Sequence, residues 1–189
     1  MLEWKGIFMK KLFVLPEYTT AKEIKKLRKD LHLTQKDFAE LINCSKPTVE
    51  RWERSEEVIR GPIVPLLRLL QKYPEYIQGI RIPDKVWQIR MWYMHNQDVC
   101  TLIDVNEQER KVKVKNYTDK IMFRAFGVVE TPDYDQYLEF LESRCFPSSR
   151  DKMKLILKDL DLPFYDPMMI IEKTEGRMAE DDFWIRIER

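Results

Sequence analysis

The sequence contains little glycine and no long apolar run. Only 5 of its 189 residues are glycine, and no glycine-rich loop occurs, which argues against a phosphate-binding loop for nucleotides. Charged residues interrupt every apolar stretch, the one near the N-terminus included. We therefore expect no membrane span, no signal peptide and a cytoplasmic location.

Cysteine and histidine are also scarce and scattered. The three cysteines, Cys44, Cys100 and Cys145, are odd in number and far apart, as are His32 and His95. A disulfide framework needs paired cysteines, and a zinc site needs ligands in close pairs. We expect reduced thiols, no metal site and no cofactor.

Charge is distributed unevenly along the chain. Residues 1–82 hold 16 Lys and Arg against 11 Asp and Glu, a net charge of +5, whereas residues 83–189 have a net charge of −4. Prolines break the helical pattern close to residue 83. We predict an N-terminal extension over residues 1–18, one domain over residues 19–82 and another over residues 83–189, each with its own partner. Residues 1–8 are interpreted as an upstream start or a non-native remnant, because Met9 begins a plausible sequence of its own.

The first domain is predicted to be helical. Thr20, Thr34 and Ser45 each precede a segment with apolar residues three and four positions apart, which is typical of a capped amphipathic helix. Asp37 stands three residues after Thr34, the spacing of a capping box. Asn43 is suited to the tight turn before the third helix. A strongly apolar fourth helix follows Gly61.

The third helix predicts the function of this domain. Val49 and Trp52 are three residues apart and point towards the core, whereas polar residues occupy the outer side. A helix that buries little and projects donors near its N-terminus suits a DNA groove. The alternative interpretation is a helical platform that binds only protein.

These residues resemble a known family. The order Leu33-Thr34-Gln35, Phe38-Ala39, Ser45, Thr48-Val49 and Arg51-Trp52-Glu53 is similar to the Xre and phage-repressor helix-turn-helix family, and the leucine-rich fourth helix looks most like its HigA- and MqsA-type antitoxins. The family often has Gly where Ser55 stands, and the zinc-binding segment of MqsA-like proteins is absent. The resemblance implies phosphate contacts by Gln35 and Ser45, and base contacts by Lys46, Pro47 and Arg51. The full set of predicted DNA-binding residues is Gln35, Ser45, Lys46, Pro47, Thr48, Glu50, Arg51 and Arg54.

The second domain is predicted to combine a small sheet with helices. Residues 86–95, 99–105 and 111–115 have strand composition or alternation, which favours a three-stranded antiparallel meander. Residues 121–126 favour a further strand or an ordered loop. From Thr131 onward the period changes to that of helices, three or four in number. The fold class is therefore α+β.

The polar residues of this second domain suggest a partner more than a reaction. Its segment from Arg144 to Arg150, followed by Gly176 and the run Asp182-Phe183-Trp184-Ile185, resembles the N-terminal accessory region of HipA-type kinases, although no kinase catalytic region follows. The resemblance implies that Arg144, Arg150, Asp182 and Trp184 bind a partner protein. An Arg–Asp structural pair is the alternative for the charged residues.

We predict a non-enzymatic transcriptional repressor of the antitoxin type. It would bind double-stranded DNA at an inverted-repeat operator as a homodimer, and a cognate toxin or HipA-like kinase through its C-terminal domain. The first rival hypothesis is a regulator that senses a small molecule in a pocket lined by Trp87, Trp92 and Tyr93. The second is an enzyme, which requires a cleft that joins Arg144, Arg150 and Asp182.

Overall fold

The computed structural model describes residues 12–189, so the suggested upstream start and most of the predicted N-terminal extension lie outside the described residues. The chain divides into two compact units, one that ends at Arg81 and one that comprises Ile82–Arg189. We describe each unit by itself.

The N-terminal unit is helical in its described part. Its helices are α1 (Ala21–Asp30), α2 (Gln35–Leu41), α3 (Lys46–Arg54), α4 (Ile63–Lys72) and α5 (Pro74–Ile80). As predicted, Thr20, Thr34 and Ser45 cap the first three, and the first two caps are complete capping boxes with Glu23 and Asp37. These bonds satisfy backbone N–H groups that a helix start leaves without partners.

The turn between α2 and α3 depends on a left-handed residue. Asn43 has φ 51°, as its residue type predicts. The two helices bury Phe38, Ala39 and Val49 against α1 and α4, where Ile24 and Leu67 lie. After α3 the chain returns to the start of the unit, and two backbone hydrogen bonds of 2.8 Å join Thr19 and Ile59.

The C-terminal unit contains an antiparallel sheet and helices, so the α+β fold class is confirmed. Its strands are β1 (Ile89–His95), β2 (Asp98–Asn106), β3 (Lys111–Asn116) and β4 (Phe183–Glu188), in the order β3-β2-β1-β4. Its helices are α6 (Tyr134–Ser143), α7 (Met153–Asp159) and α8 (Pro167–Thr174), and Ile121–Phe123 form a short 3-10 helix.

The sheet has one strand more than the predicted meander. β4 comes from the end of the chain and pairs with β1, with Ile185 opposite Tyr93. The six residues 183–188 do not indicate which strand they pair with, because their partner lies about 90 residues earlier in the chain and the pairing depends on the tertiary fold. Helix α7 begins after the left-handed Lys152 (φ 60°) without a side-chain cap.

The two faces of the sheet have different roles. Ile89, Met91 and Tyr93 face α6 and α8 and form the main core with buried residues such as Tyr137 and Ile170. The residues between them point the other way, since side chains alternate along a strand. That second face carries a buried ion pair, described below. Among the described residues, no helix is long and apolar enough to cross a membrane.

Candidate nucleic-acid interface

Helix α3 has one buried and one exposed side. Val49 is fully buried, and Trp52 packs partly against the same core. The exposed side carries Lys46, Pro47, Arg51 and Arg54. A single anchored face leaves the remaining surface of the helix available to a groove of DNA.

The start of α3 is closed by its own side chains. The Ser45 hydroxyl accepts a hydrogen bond of 3.3 Å from the backbone N–H of Thr48, and the two hydroxyl oxygens lie 2.9 Å apart. Pro47 occupies the first turn, where a missing N–H costs no helical hydrogen bond. The helix therefore starts at a defined residue, and its first backbone amides and side chains have a fixed direction.

The end of α3 is held by a buried ion pair. Arg28 of α1 donates two hydrogen bonds to the Glu53 carboxylate, from Nε at 2.6 Å and from Nη2 at 3.0 Å. The Glu53 side chain is only 4% exposed. Arg28 also donates to the Leu33 carbonyl at 2.9 Å, and the Gln35 amide donates to Glu53 at 2.9 Å. We call Arg28, Glu53 and Gln35 the α1–α3 clamp.

The clamp stabilises the charged forms of Glu53 and Arg28. Burial opposes ionisation of Glu53, but the hydrogen bonds from Arg28 and Gln35 outweigh it and hold the pKa of Glu53 below its ordinary value. The bond to Glu53 raises the pKa of Arg28 in turn. A bidentate Arg–carboxylate pair is directional, so it restrains the orientation of α3 relative to α1.

The predicted DNA-binding residues gather around α3, but their situations differ. Lys46 lies 3.3 Å from Glu50, one helical turn away, and both side chains retain access to solvent. Arg51 and Arg54 are exposed. Gln35 is half-buried, and its amide nitrogen is committed to Glu53, so its place in the structure is that of a clamp residue. No DNA is present, and DNA contact by these residues stays a prediction.

The sequence motif includes Glu53, but the bond between Arg28 and Glu53 was not predicted from the sequence. A signal existed, because Arg28 stands within the apolar stripe of the first helix, between Leu27 and Leu31. A charged residue on a buried face needs a partner of opposite charge. The sequence did not indicate which of the unit's carboxylates was that partner.

In the C-terminal unit, Arg144 was predicted to bind a partner, but the structure places it in the interior. It is 6% exposed and donates to Asp181 at 2.7 and 3.0 Å, to the Gly176 carbonyl at 2.7 Å and to the Phe183 carbonyl at 3.2 Å. Asp181 in turn accepts from the Phe183 N–H. This arrangement is the structural Arg–Asp alternative, and its contacts with β4 are to the backbone of Phe183.

The other predicted partner residues lie nearer the surface. Arg150 and Asp182 are exposed. Asp182 and Trp184 line a polar cavity of about 390 Å³ at the turn between β1 and β2. The Trp184 indole N–H donates to the Asn96 carbonyl at 2.8 Å. Neither Arg144 nor Arg150 lines that cavity, so the cleft that the enzyme hypothesis requires is not formed there.

Two of the three aromatic residues of the sensor hypothesis do not line one pocket. Trp92 and Tyr93 are neighbours on β1 and point to opposite faces of the sheet. The Tyr93 ring stacks on Phe183 at 5.0 Å between centroids, whereas Trp92 contacts the Arg186 guanidinium. Both are buried at 7% exposure. In the part of the chain that the structure describes, no group of three or more potential metal ligands occurs.

The arrangement of α2, the Asn43 turn and α3 defines a helix-turn-helix unit. Part of this chain is similar in sequence to known antitoxins. Residues 6–81 match the family described as the antitoxin component of a bacterial toxin-antitoxin system, MqsA. Antitoxin HigA-2 of Vibrio cholerae serotype O1 is 36% identical over 58 residues, which are 31% of this chain and 56% of that protein. The chain thus matches about half the length of this relative.

The predicted similarity to antitoxins is confirmed by these matches. The resemblance of residues 144–185 to HipA-type kinases stays a prediction.

Proposed function

We propose that this protein is a sequence-specific DNA-binding repressor of the antitoxin type, in which α3 enters the major groove. The observation that carries this proposal is the exposed side of α3, which presents Lys46, Arg51 and Arg54 while both ends of the helix are held. A helix fixed at both ends aligns its side chains with base edges at little entropic cost.

The charges of the unit agree with this role. Residues 1–82 have a net charge of +5, and cations provide the sequence-independent attraction to phosphates. Arg51 is the best candidate for base contact, since it is exposed, and bidentate contact to guanine is the commonest specific contact in the major groove. Ser45 and the N-terminal amides of α3 suit a phosphate. Lys46 would share its charge between Glu50 and DNA.

The Arg51→Ala variant tests the proposal. Duplexes selected from a random library by the full chain are compared with shuffled duplexes of equal length by fluorescence anisotropy. We expect Arg51→Ala to lose about 10- to 100-fold in affinity for the selected duplex, the range for one bidentate base contact, and much less for the shuffled one. Arg150→Ala is the matched control, because it removes one exposed arginine from the C-terminal unit.

Two outcomes would contradict the proposal. Equal losses on both duplexes would assign Arg51 to the phosphate backbone instead of the bases. Failure of the full chain to enrich any sequence would contradict sequence-specific binding altogether.

We further propose that the C-terminal unit binds a partner protein, namely a cognate toxin or a HipA-like kinase. Three large apolar side chains are exposed between β3 and α6, with Ile121 51%, Met122 82% and Val128 73% exposed. Large apolar side chains exposed on one short segment favour a protein partner. Co-expression with the product of the adjacent gene is expected to yield a complex that survives gel filtration, and separate elution would contradict this second proposal.

A further inference from the structure

The sheet of the C-terminal unit has one edge that no further strand covers within the described residues. Strand β3 comes first in the order β3-β2-β1-β4 and pairs with β2 along one side only. We call its other side the β3 edge. At the opposite end of the sheet, by contrast, the Ile185 N–H of β4 donates to the Glu175 carbonyl at 2.7 Å. An edge strand presents a row of backbone donors and acceptors to another chain.

The pairing of β3 with β2 shows which backbone groups face outward. The Tyr117 N–H donates to the Cys100 carbonyl at 2.9 Å, and hydrogen-bonded and non-hydrogen-bonded pairs alternate from there along the two strands. The backbone groups of the β3 lysines therefore bond to β2, whereas those of Val112 and Val114 point away from it. Among the described residues, no backbone hydrogen bond outside the sheet involves these two valines.

The β3 edge is positively charged, and the neighbouring strand does not cancel this charge. Lys111, Lys113 and Lys115 lie on the same face of the sheet, because side chains alternate along a strand. Lys113 is exposed, and the residue opposite it on β2 is Asp104. The Asp104 carboxylate is buried and already accepts two hydrogen bonds from Arg90. The row of lysines is therefore a local positive feature in a domain with a net charge of −4.

These lysines disfavour a second copy of β3 as the occupant of the edge. Two paired copies would bring lysine rows side by side, and like charges opposite each other destabilise a sheet. A strand with Asp or Glu at alternate positions would instead place carboxylates beside the ammonium groups. Its intervening residues would lie beside Val112 and Val114, whose side chains pack against the core, so apolar side chains suit those positions.

We propose that the β3 edge binds an extended acidic segment of the partner protein, which joins the sheet as a fifth strand and alternates carboxylates with apolar side chains. This inference rests on the proposed binding of a partner protein by the C-terminal unit. Backbone hydrogen bonds to Val112 and Val114 provide affinity, and carboxylates beside Lys113 and Lys115 provide selectivity. The same charge complementarity accelerates association.

Amide hydrogen exchange of the full chain, followed by NMR, tests the inference. The probe is a synthetic peptide in which Glu and Val alternate. We expect this peptide to slow exchange at Val112 and Val114 at least about tenfold, because both amides become hydrogen-bonded. A peptide of the same sequence, N-methylated at alternate residues, keeps its charge but loses backbone donors, as proline does, and is expected to give little protection.

Lys113→Glu is the variant that tests selectivity. Lys113 is chosen because Lys111 already bonds to Glu109 at 2.6 Å. The new carboxylate lies beside those of the peptide, so affinity for the peptide should fall at least about fivefold. Lys154→Glu is the matched control, since Lys154 is an exposed lysine of α7 in the same unit and the change in charge is the same. This control is expected to bind the peptide as the parent chain does.

Unchanged exchange at Val112 and Val114 overturns the inference, and so does equal protection by the N-methylated peptide or an equal loss of affinity in both variants. Co-expression with the product of the adjacent gene separates the inference from the proposed function. A complex that Lys113→Glu retains in full overturns the inference, while partner binding stands. If the parent chain forms no complex, partner binding is contradicted, and exchange at the two valines still decides whether the edge accepts an acidic strand.

Discussion

Each unit of this protein contains a buried, bidentate Arg–carboxylate pair, and the two pairs have different surroundings. In the N-terminal unit, Arg28 and Glu53 are 25 residues apart in sequence and join α1 to α3. In the C-terminal unit, Arg90 and Asp104 lie opposite each other on adjacent strands, 2.7 and 2.8 Å apart at their two contacts. Backbone hydrogen bonds already hold those strands, but no backbone bond holds α1 against α3.

The difference shows what each pair contributes. The Arg28–Glu53 pair determines the direction of α3, whose outer side is exposed. The Arg90–Asp104 pair adds little to strand pairing, but it binds the chain that enters the sheet, since Arg90 donates to the Pro83 carbonyl at 2.9 Å and Asp104 accepts from the Val86 N–H at 3.1 Å. We therefore assign orientation of a binding helix to the first pair and attachment of an entering segment to the second.

The largest loss of stability is expected when the Arg90–Asp104 ion pair is broken. Asp104→Ala leaves Arg90, which is 4% exposed, without its counter-charge, and it also leaves the Val86 N–H without its acceptor. Loss of one partner from a buried pair costs about 3–5 kcal/mol in free energy of unfolding. Urea titration followed by tryptophan fluorescence measures this loss. DNA binding at low temperature should be retained, and an unchanged urea midpoint would contradict the role assigned to Asp104.

Disruption of the α1–α3 clamp is expected to reduce stability less, but DNA binding more. Glu53→Gln keeps the shape of the side chain but removes the charge that Arg28 and Gln35 contact, at a cost of about 1–3 kcal/mol. Because α3 loses its fixed angle, affinity for the selected duplex should fall. The matched control is Glu50→Gln on the same helix, whose exposed pair with Lys46 is worth at most about 0.5 kcal/mol. Equal destabilisation by both variants would contradict the clamp.

The pH dependence of stability provides a second measurement for Glu53→Gln. The pKa of Glu53 is below its ordinary value in the folded chain, so its contribution is complete above that ordinary value of 4.5 and is lost as the pH falls through the folded value. Asp181, with its pKa lowered mainly by the bonds from Arg144, acts in the same direction in the C-terminal unit. Glu53→Gln should therefore flatten the decline in stability on acidification below about pH 4.5 without abolishing it.

The smallest change in stability is expected at the buried hydroxyl of Tyr137. Tyr137 is fully buried, and its hydroxyl has no hydrogen-bond partner among the described residues. Tyr137→Phe removes a polar group that is already unsatisfied, so it should leave the unfolding free energy unchanged or raise it by up to about 1 kcal/mol. Thermal unfolding measures this change. A destabilisation of more than 1 kcal/mol would show that the hydroxyl has a partner, such as a buried water molecule.

The local features of this protein were determined by the sequence. The caps at Thr20, Thr34 and Ser45, the left-handed Asn43 and the alternation of strand β3 depend on residues within a few positions of each other. Such spacings also predicted the helix-turn-helix and its exposed residues, because a helix of nine residues repeats its faces every three or four positions.

Only the tertiary structure decided which distant groups meet. Nothing local to Arg144 shows that its partner is Asp181, 37 residues away, or that Phe183–Glu188 completes the sheet beside β1. The same is true of Arg28 and Glu53, and of Gln35, whose amide donates a hydrogen bond to Glu53 18 residues away. Charge and hydrophobicity reveal that a group needs a partner or a cover, but the choice among many candidates is made by the packing of the whole chain.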